Sequence, residues 1–162
     1  MSKTRRTVLA AASTDPHIID RFRALVWPDE VLGGHRLWVG AISSGGHGRF
    51  WIGERDGQDL VVIAHRFSWA LAHHTLPGRN TVIEHLCDEP SCQNPSHLAA
   101  SSQARNVQSW WNRRITPGSP LRDSRGAQGR AEALRDALLS GADIEAASAA
   151  GLVADSAQGQ LF

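Results

Sequence analysis

Apolar residues recur along this chain with two periods. Between Asp15 and Trp27, Ile18, Ile19, Phe22, Leu25 and Val26 share one side of a helical wheel. Asp15 suits the cap, Pro16 the first turn, and Pro28 closes the segment, which predicts a short amphipathic helix. The pattern then shortens to strands. Leu37 to Ile42 reads as one, Ser43-Ser-Gly-Gly-His-Gly as a turn, and Arg49 to Gly53 as a second strand. Arg55-Asp-Gly-Gln makes another turn before Leu60-Val-Val-Ile-Ala. Together these predict an antiparallel meander. Helical spacing returns over His65 to His74, where Phe67, Trp69 and Leu71 can pack, until Pro77-Gly78 ends it.

The second half opens with a strand, Thr81 to His85, which runs into a polar loop punctuated by prolines from Leu86 to Leu98. Ser101 to Arg114 reads as a helix with Ser102 at its cap. The stretch Thr116 to Arg130 is rich in Gly, Pro, Ser and Arg and reads as a linker. Two short helices, Ala131 to Leu139 and Ile144 to Ala150, meet at Gly141. The fold class expected is α+β. The division expected is a helical lead-in over 1–34, a core over 35–115, a basic linker over 116–130 and a small helical tail over 131–162.

Composition narrows the function. At 162 residues and 41% hydrophobic, the chain can bury a core of its own. A charged fraction of 20% and a net charge of +1 argue against global disorder and against a protein that coats nucleic acid by bulk charge. No apolar run approaches the roughly 18–20 residues needed to span a bilayer, so no membrane partner is expected. Arg5-Arg6 is followed by an apolar stretch, Val8 to Ala12, shorter than the roughly 7–15 residues of a signal peptide's apolar region, and Asp15 soon follows. The N-terminus is therefore expected to be a frayed, basic lead-in to a cytoplasmic protein. Charge is nevertheless unevenly spread: residues 100–130 hold six arginines against Asp123, whereas residues 131–162 hold Arg135 against five acids.

Two cysteines are too few for a disulfide framework, but with eight histidines they suit metal or acid–base chemistry. Cys87, Cys92 and His97 follow one another with four residues between each in a proline-stiffened loop, a spacing that suits a tetrahedral Zn²⁺ site. The competing reading is a pair of buried free thiols with His97 capping the next helix. Glu84-His85 immediately precedes this loop, and Asn106 follows it on the helix. An imidazole beside an amide oxygen and a carboxylate is the equipment of metal-assisted phosphodiester hydrolysis: neutral His takes a proton from water, and a cation on oxygen ligands stabilises the leaving oxygen.

The run His85-Leu-Cys-Asp-Glu-Pro-Ser-Cys-Gln-Asn-Pro-Ser-His-Leu, with Asn106 beyond it, resembles the HNH endonucleases of the ββα-metal group, particularly the His-Cys box and phage-type subfamily. Leu37-Trp-Val-Gly, Gly46-His-Gly-Arg-Phe, Ala64-His-Arg and His74-Thr-Leu-Pro share in that resemblance. It spans about His35 to Arg114 and implies a small strand meander with helices around a zinc-stapled ββα-metal (HNH) motif. It further implies His85 as general base, Asn106 as the ligand of a catalytic Mg²⁺ (or Mn²⁺), and Asn94 as a brace within the loop. Cys87, Cys92 and His97 would bind structural Zn²⁺. Where relatives supply a fourth ligand from cysteine, this chain has His35, with His47 or His65 as alternatives. Glu84 replaces a metal-binding Asp with a longer side chain, which leaves its coordination open. Arg49 matches an arginine placed near the scissile phosphate, a role Arg66 is also suited to; the plain alternative is an exposed strand arginine.

The implied partner is DNA. Arg105, Arg113 and Arg114 flank Trp110-Trp111, and such a combination can grip a phosphate backbone and stack on bases, although tryptophans more often pack a helix onto a core or a dimer partner. Arg122, Arg125 and Arg130 of the linker would follow phosphates without reading sequence. The tail has the pattern of the first two helices of a helix-turn-helix. Its last residues, Gln158-Gly-Gln-Leu-Phe162, resemble a peptide that docks on the replication sliding clamp. The expectation is thus a metal-dependent DNA endonuclease of bacterial or phage origin, homing or otherwise, a homodimer being a simple route to double-strand cuts. A zinc-stapled DNA-binding module without cleavage is the alternative, and a structural subunit of a phage or replication assembly is the third reading.

Overall fold

The computed structural model describes residues 3–152, so the clamp-like peptide Gln158 to Phe162 and the third helix of a helix-turn-helix lie outside the described residues. The architecture is α+β, with six helices and two small antiparallel sheets among those residues. Helix α1 (Lys3–Ala12) and helix α2 (Pro16–Arg23) lead into a long irregular segment. Strands β1 (Arg49–Arg55) and β2 (Gln58–Ile63) form the first hairpin, and helix α3 (Ala64–His73) follows directly. Strands β3 (Val82–His85) and β4 (Leu98–Ser101) form the second hairpin and feed helix α4 (Gln103–Arg114); α5 (Gly126–Ser140) and α6 (Ile144–Ala149) close the described chain. None of these helices is long and apolar enough to cross a membrane.

Most of these elements follow from their own residues, and the departures have local causes. Asp15 caps α2 as expected, its carboxylate accepting from the His17 and Ile18 amides. The helix stops at Arg23, short of the expected Trp27, because Val26 pairs with Trp38 and the Trp27 amide donates to the Leu37 carbonyl. That same pairing breaks the expected Leu37–Ile42 strand into isolated bridges. The N-terminus does not simply fray: α1 inserts Leu9 and Ala12 into the core. Strand β4, expected as loop and helix start, forms because it pairs residue by residue with β3, from Val82 opposite Ser101 to His85 opposite Leu98. Ser102 then caps α4 as expected.

The main core is an aromatic cluster. Phe22, Trp38, Phe50 and Phe67 meet at ring-centroid distances from 4.9 to 6.0 Å, with Ile52 and Ala64 packed alongside. Gly48 lies against this cluster, and a Cβ there would come within 2.6 Å of the Trp38 ring. Trp69, Ile83 and Leu98 form a smaller cluster that seats α3 on the β3–β4 hairpin. A third, built on Leu37, Leu134 and Leu138, docks α5 against the irregular segment after α2.

Residues 116–130 correct the expectation of a phosphate-tracking linker. Helix α5 starts at Gly126, and Arg130 is buried, with Nε 2.7 Å from Glu89 and Nη1 3.2 Å from Asp123. Its Nη2 donates to the Ser148 hydroxyl. Arg125 pairs with Asp123 at 2.7 Å. These arginines are consumed by buried carboxylates; Asp123 is a near neighbour of both, but Glu89 lies 41 residues from Arg130, and that pairing is not readable from the sequence. Arg130→Ala would leave Glu89 charged and enclosed. A loss of about 3–5 kcal/mol is expected, measured by urea denaturation; a change within about 0.5 kcal/mol, as for an ordinary surface substitution, would contradict this account of how α5 is held.

Candidate metal centre and adjoining cavity

The loop between β3 and β4 gathers the first cluster. His35, Cys87, Cys92 and His97 each offer a ligand atom within 4.8 Å of the others, so the group could hold a metal ion. Two sulfurs and two imidazoles make a donor set consistent with structural zinc. Both cysteines are free of disulfides, and Cys92 Sγ lies 3.6 Å from His97 Nδ1. The hydrogen bond from the Cys87 thiol pulls the Cys92 thiol down, aided by the Asn94 amide, while the Cys87 thiol is pushed up by the same bond. One sulfur of the pair is thus already inclined to the thiolate form that metals bind. Buried His35 Nδ1 has no hydrogen-bond partner, as a ligand awaiting an ion would not. Of the three candidates for the fourth donor, His35 is the one brought to the cysteines.

Asn94 ties this loop to the segment carrying His35. Its Nδ2 donates to the Gly34 carbonyl at 2.6 Å, and its Oδ1 accepts from the Ser96 amide and hydroxyl. The main chain continues the link, with the Gln93 amide donating to the Arg36 carbonyl and the Trp38 amide to the Ser91 carbonyl.

His47 and His65 lie elsewhere, in a cavity of ≈ 510 Å³ that they line with Glu84, His85, Asp88 and Asn106. His85 is the last residue of β3. Its Nε2 is 3.0 Å from the Cys92 carbonyl, which can only accept, so Nε2 carries the proton and Nδ1 is left as a lone pair. Burial drives the His85 pKa down to about 3, with the nearby His47 adding to the effect. The ring is therefore neutral at ordinary pH. Glu84 is buried beside it, and its Oε2 has no hydrogen-bond partner. His47 sits in the turn before β1, where Gly46 allows close approach: a Cβ there would meet the Ala127 carbonyl at 2.6 Å. His65 is on the first turn of α3 and is buried.

The arginines divide into two groups. Arg66 lines the cavity and donates to the Thr81 carbonyl at 3.1 Å, and burial lowers its pKa. Arg113 also lines it, but its guanidinium is engaged by Asp88 at 2.7 Å and by the His85 carbonyl at 3.2 Å. Arg49 is exposed at the start of β1; it stands opposite Ile63, which does line the cavity. Arg105 and Arg114 are exposed on α4, and Arg114 stacks over Trp110 at 4.9 Å. α4 buries none of its residues; Trp111 is 55% exposed, so the tryptophans do not serve the core.

Comparison with known proteins gives one informative match. The chain is 30% identical over 69 residues to "Protein 7.7" of Escherichia phage T7, a span covering 43% of this chain and 48% of that protein. The chain thus spans about half the length of the curated relative it matches. No family model matches, and no solved structure matches.

In the sequence His47 and His65 stand only as substitutes for a zinc ligand. Their true company, His85, is set by the β1 turn and α3 packing, and no local spacing encodes it. Two outcomes follow from the geometry. Chelation of metal, or Cys92→Ala, is expected to lower the melting temperature and expose the loop to protease, whereas unchanged melting would exclude a structural ion at the cysteines. Burial lowers the pKa of His35, His47, His65 and His85 in the fold. The unfolded chain then binds more protons than the fold as pH falls below 6.5. Stability is expected to be complete above 6.5 and to decline progressively toward about 3. Denaturation midpoints that stay flat across that window would contradict the burial of these rings.

Proposed function

We propose that this chain is a metal-dependent DNA endonuclease of the HNH type. The observation that carries the reading is His85: a buried, neutral imidazole whose Nε2 is spent on the Cys92 carbonyl and whose other nitrogen is a lone pair, in a cavity shared with Glu84 and Asn106. A ring so oriented offers Nδ1 as the proton acceptor for water, and burial makes it a weaker base than a free imidazole. The His/Cys centre, read as a zinc site, fixes the loop that supplies the Cys92 carbonyl, and Asn94 braces it.

The oxygen donors of Glu84 and Asn106 fit a hard divalent cation, and the unsatisfied Glu84 Oε2 is what such an ion would complete. These two residues would hold Mg²⁺ or Mn²⁺, which when bound supplies positive charge against the leaving oxygen. Arg66 faces the same cavity and would bind the phosphate, with Arg49 at its rim. Arg105, Arg114 and the exposed Trp110 and Trp111 would grip the nucleic acid along α4, the guanidinium meeting phosphate and the indoles stacking on bases. In this reading Arg113 orients rather than docks, since it holds Asp88 and the His85 carbonyl. The likeness to a phage protein supports a phage setting.

The test is Mg²⁺-dependent cleavage of supercoiled plasmid, with His85→Ala measured alongside. Cleavage leaving 5′-phosphate and 3′-hydroxyl ends is expected, reduced on the order of 10²–10⁴-fold in the variant. Equal activity in both would remove His85 from the chemistry. Plasmid binding without cleavage, across a range of DNA targets, would move the assignment to a zinc-stapled binding module.

A further inference from the structure

His47, His65 and His85 form a second cluster, separate from the His/Cys centre. One nitrogen of each ring lies within 4.8 Å of the other two. Ring centroids are 4.9 Å apart for His47 and His65, 4.5 Å for His65 and His85, and 5.6 Å for His47 and His85. Three imidazoles have no charge attraction to hold them together, and no hydrogen bond joins any two of them among the described residues. Their convergence is imposed by three different elements: the turn before β1, the start of α3 and the end of β3.

Each ring is also prepared for a ligand. His47 donates from Nδ1 to the Pro90 carbonyl at 3.2 Å, and His85 donates from Nε2 to the Cys92 carbonyl at 3.0 Å. A backbone carbonyl on one nitrogen fixes the tautomer and leaves the other as a bare lone pair, which is how metal-binding histidines are normally oriented. His65 Nδ1 is buried and has no partner at all. We infer that these three residues form a site for a borderline divalent transition metal such as Zn²⁺, Co²⁺ or Ni²⁺, with a fourth coordination position open to the cavity.

The chemistry separates this site from the one proposed for Mg²⁺. Imidazole favours the later first-row metals, whereas Mg²⁺ prefers oxygen and sheds its water reluctantly. Nitrogens on a tetrahedral ion stand about 3.3 Å apart, given a metal–nitrogen distance of about 2.0 Å, so small ring rotations suffice to close the shell. Glu84 and Asp88 in the same cavity add acidic groups that favour a cation there, against Arg66 and Arg113. Because His85 would donate its lone pair to the ion, that nitrogen would be closed to water. The inhibitory consequence rests on the reading of His85 as the general base; the metal site itself does not.

The experiment uses the full chain with its His/Cys centre filled by zinc, titrated with Co²⁺. About one further Co²⁺ per chain is expected, with visible bands of nitrogen–oxygen coordination and without the near-ultraviolet thiolate-to-cobalt band. Those bands should be lost in His47→Ala, whose side chain is only partly buried, and in His65→Ala, with retained zinc and an unchanged circular dichroism spectrum certifying the fold. In the cleavage assay Zn²⁺ should suppress the Mg²⁺-supported rate of the parent, and His47→Ala, referred to its own uninhibited rate, should escape. Absence of a second Co²⁺ equivalent, or binding unaltered by both substitutions, would overturn the site. Co²⁺ binding without any nuclease activity would leave the site standing and count against the base instead.

Discussion

Everything in the second half of this fold depends on the path of the loop from Leu86 to His97. It contains one short turn of 3₁₀ helix and no longer element, and its main-chain hydrogen bonds are scattered ones, such as Leu86 to His97 and Gln93 to Arg36. Its side chains converge as well: two sulfurs and an imidazole from the loop meet His35 from a segment some fifty residues earlier, in a group that could hold a metal ion. A metal bound by these donors would close the loop against the unfolded chain, which is where such centres contribute their stability. The consequence reaches beyond the loop. Cys92 offers its sulfur to the cluster and its carbonyl to His85, so one residue couples the metal centre to the orientation of the ring.

Charge is distributed according to the same logic. Glu89 lies in this loop, between Asp88 and Pro90, and is fully buried. Its carboxylate accepts from the Ser91 hydroxyl on one side and Arg130 on the other. Helix α5 therefore clamps the back of the loop while Arg113 of α4 clamps the front through Asp88. Two arginines that look like nucleic-acid contacts in the sequence are occupied by carboxylates of the loop. Those left at the surface of α4, Arg105 and Arg114, accompany exposed tryptophans on a helix that buries none of its residues, so that helix presents an aromatic and basic face to solvent.

How much of this was legible in the sequence varies with the range of the cause. Caps and helical spacing were readable because they are local: Asp15, Ser102 and Gly141 terminate helices as expected. The spacing of Cys87, Cys92 and His97 within a stiff loop gave three donors directly, and the resemblance supplied His35. What could not be read was set by pairing between distant segments. Strand β4 exists because β3 lies beside it, and the strand expected at Leu37–Ile42 is broken because its partners are single residues of three separate segments. The burial of Arg130 and the meeting of His47 with His65 are likewise tertiary, and no composition or period announces them.

The clamped loop holds His85 neutral, with its proton on Nε2 and its Nδ1 free. Long-range ¹H–¹⁵N NMR of the imidazole nitrogens in the metal-loaded full chain reads that state directly. The expected state is the Nε2–H tautomer, unprotonated below 6.5 where an exposed histidine charges, and scrambled when the metal is chelated. An Nδ1–H tautomer, or a His85 that titrates near 6.5 with the metal in place, would contradict it.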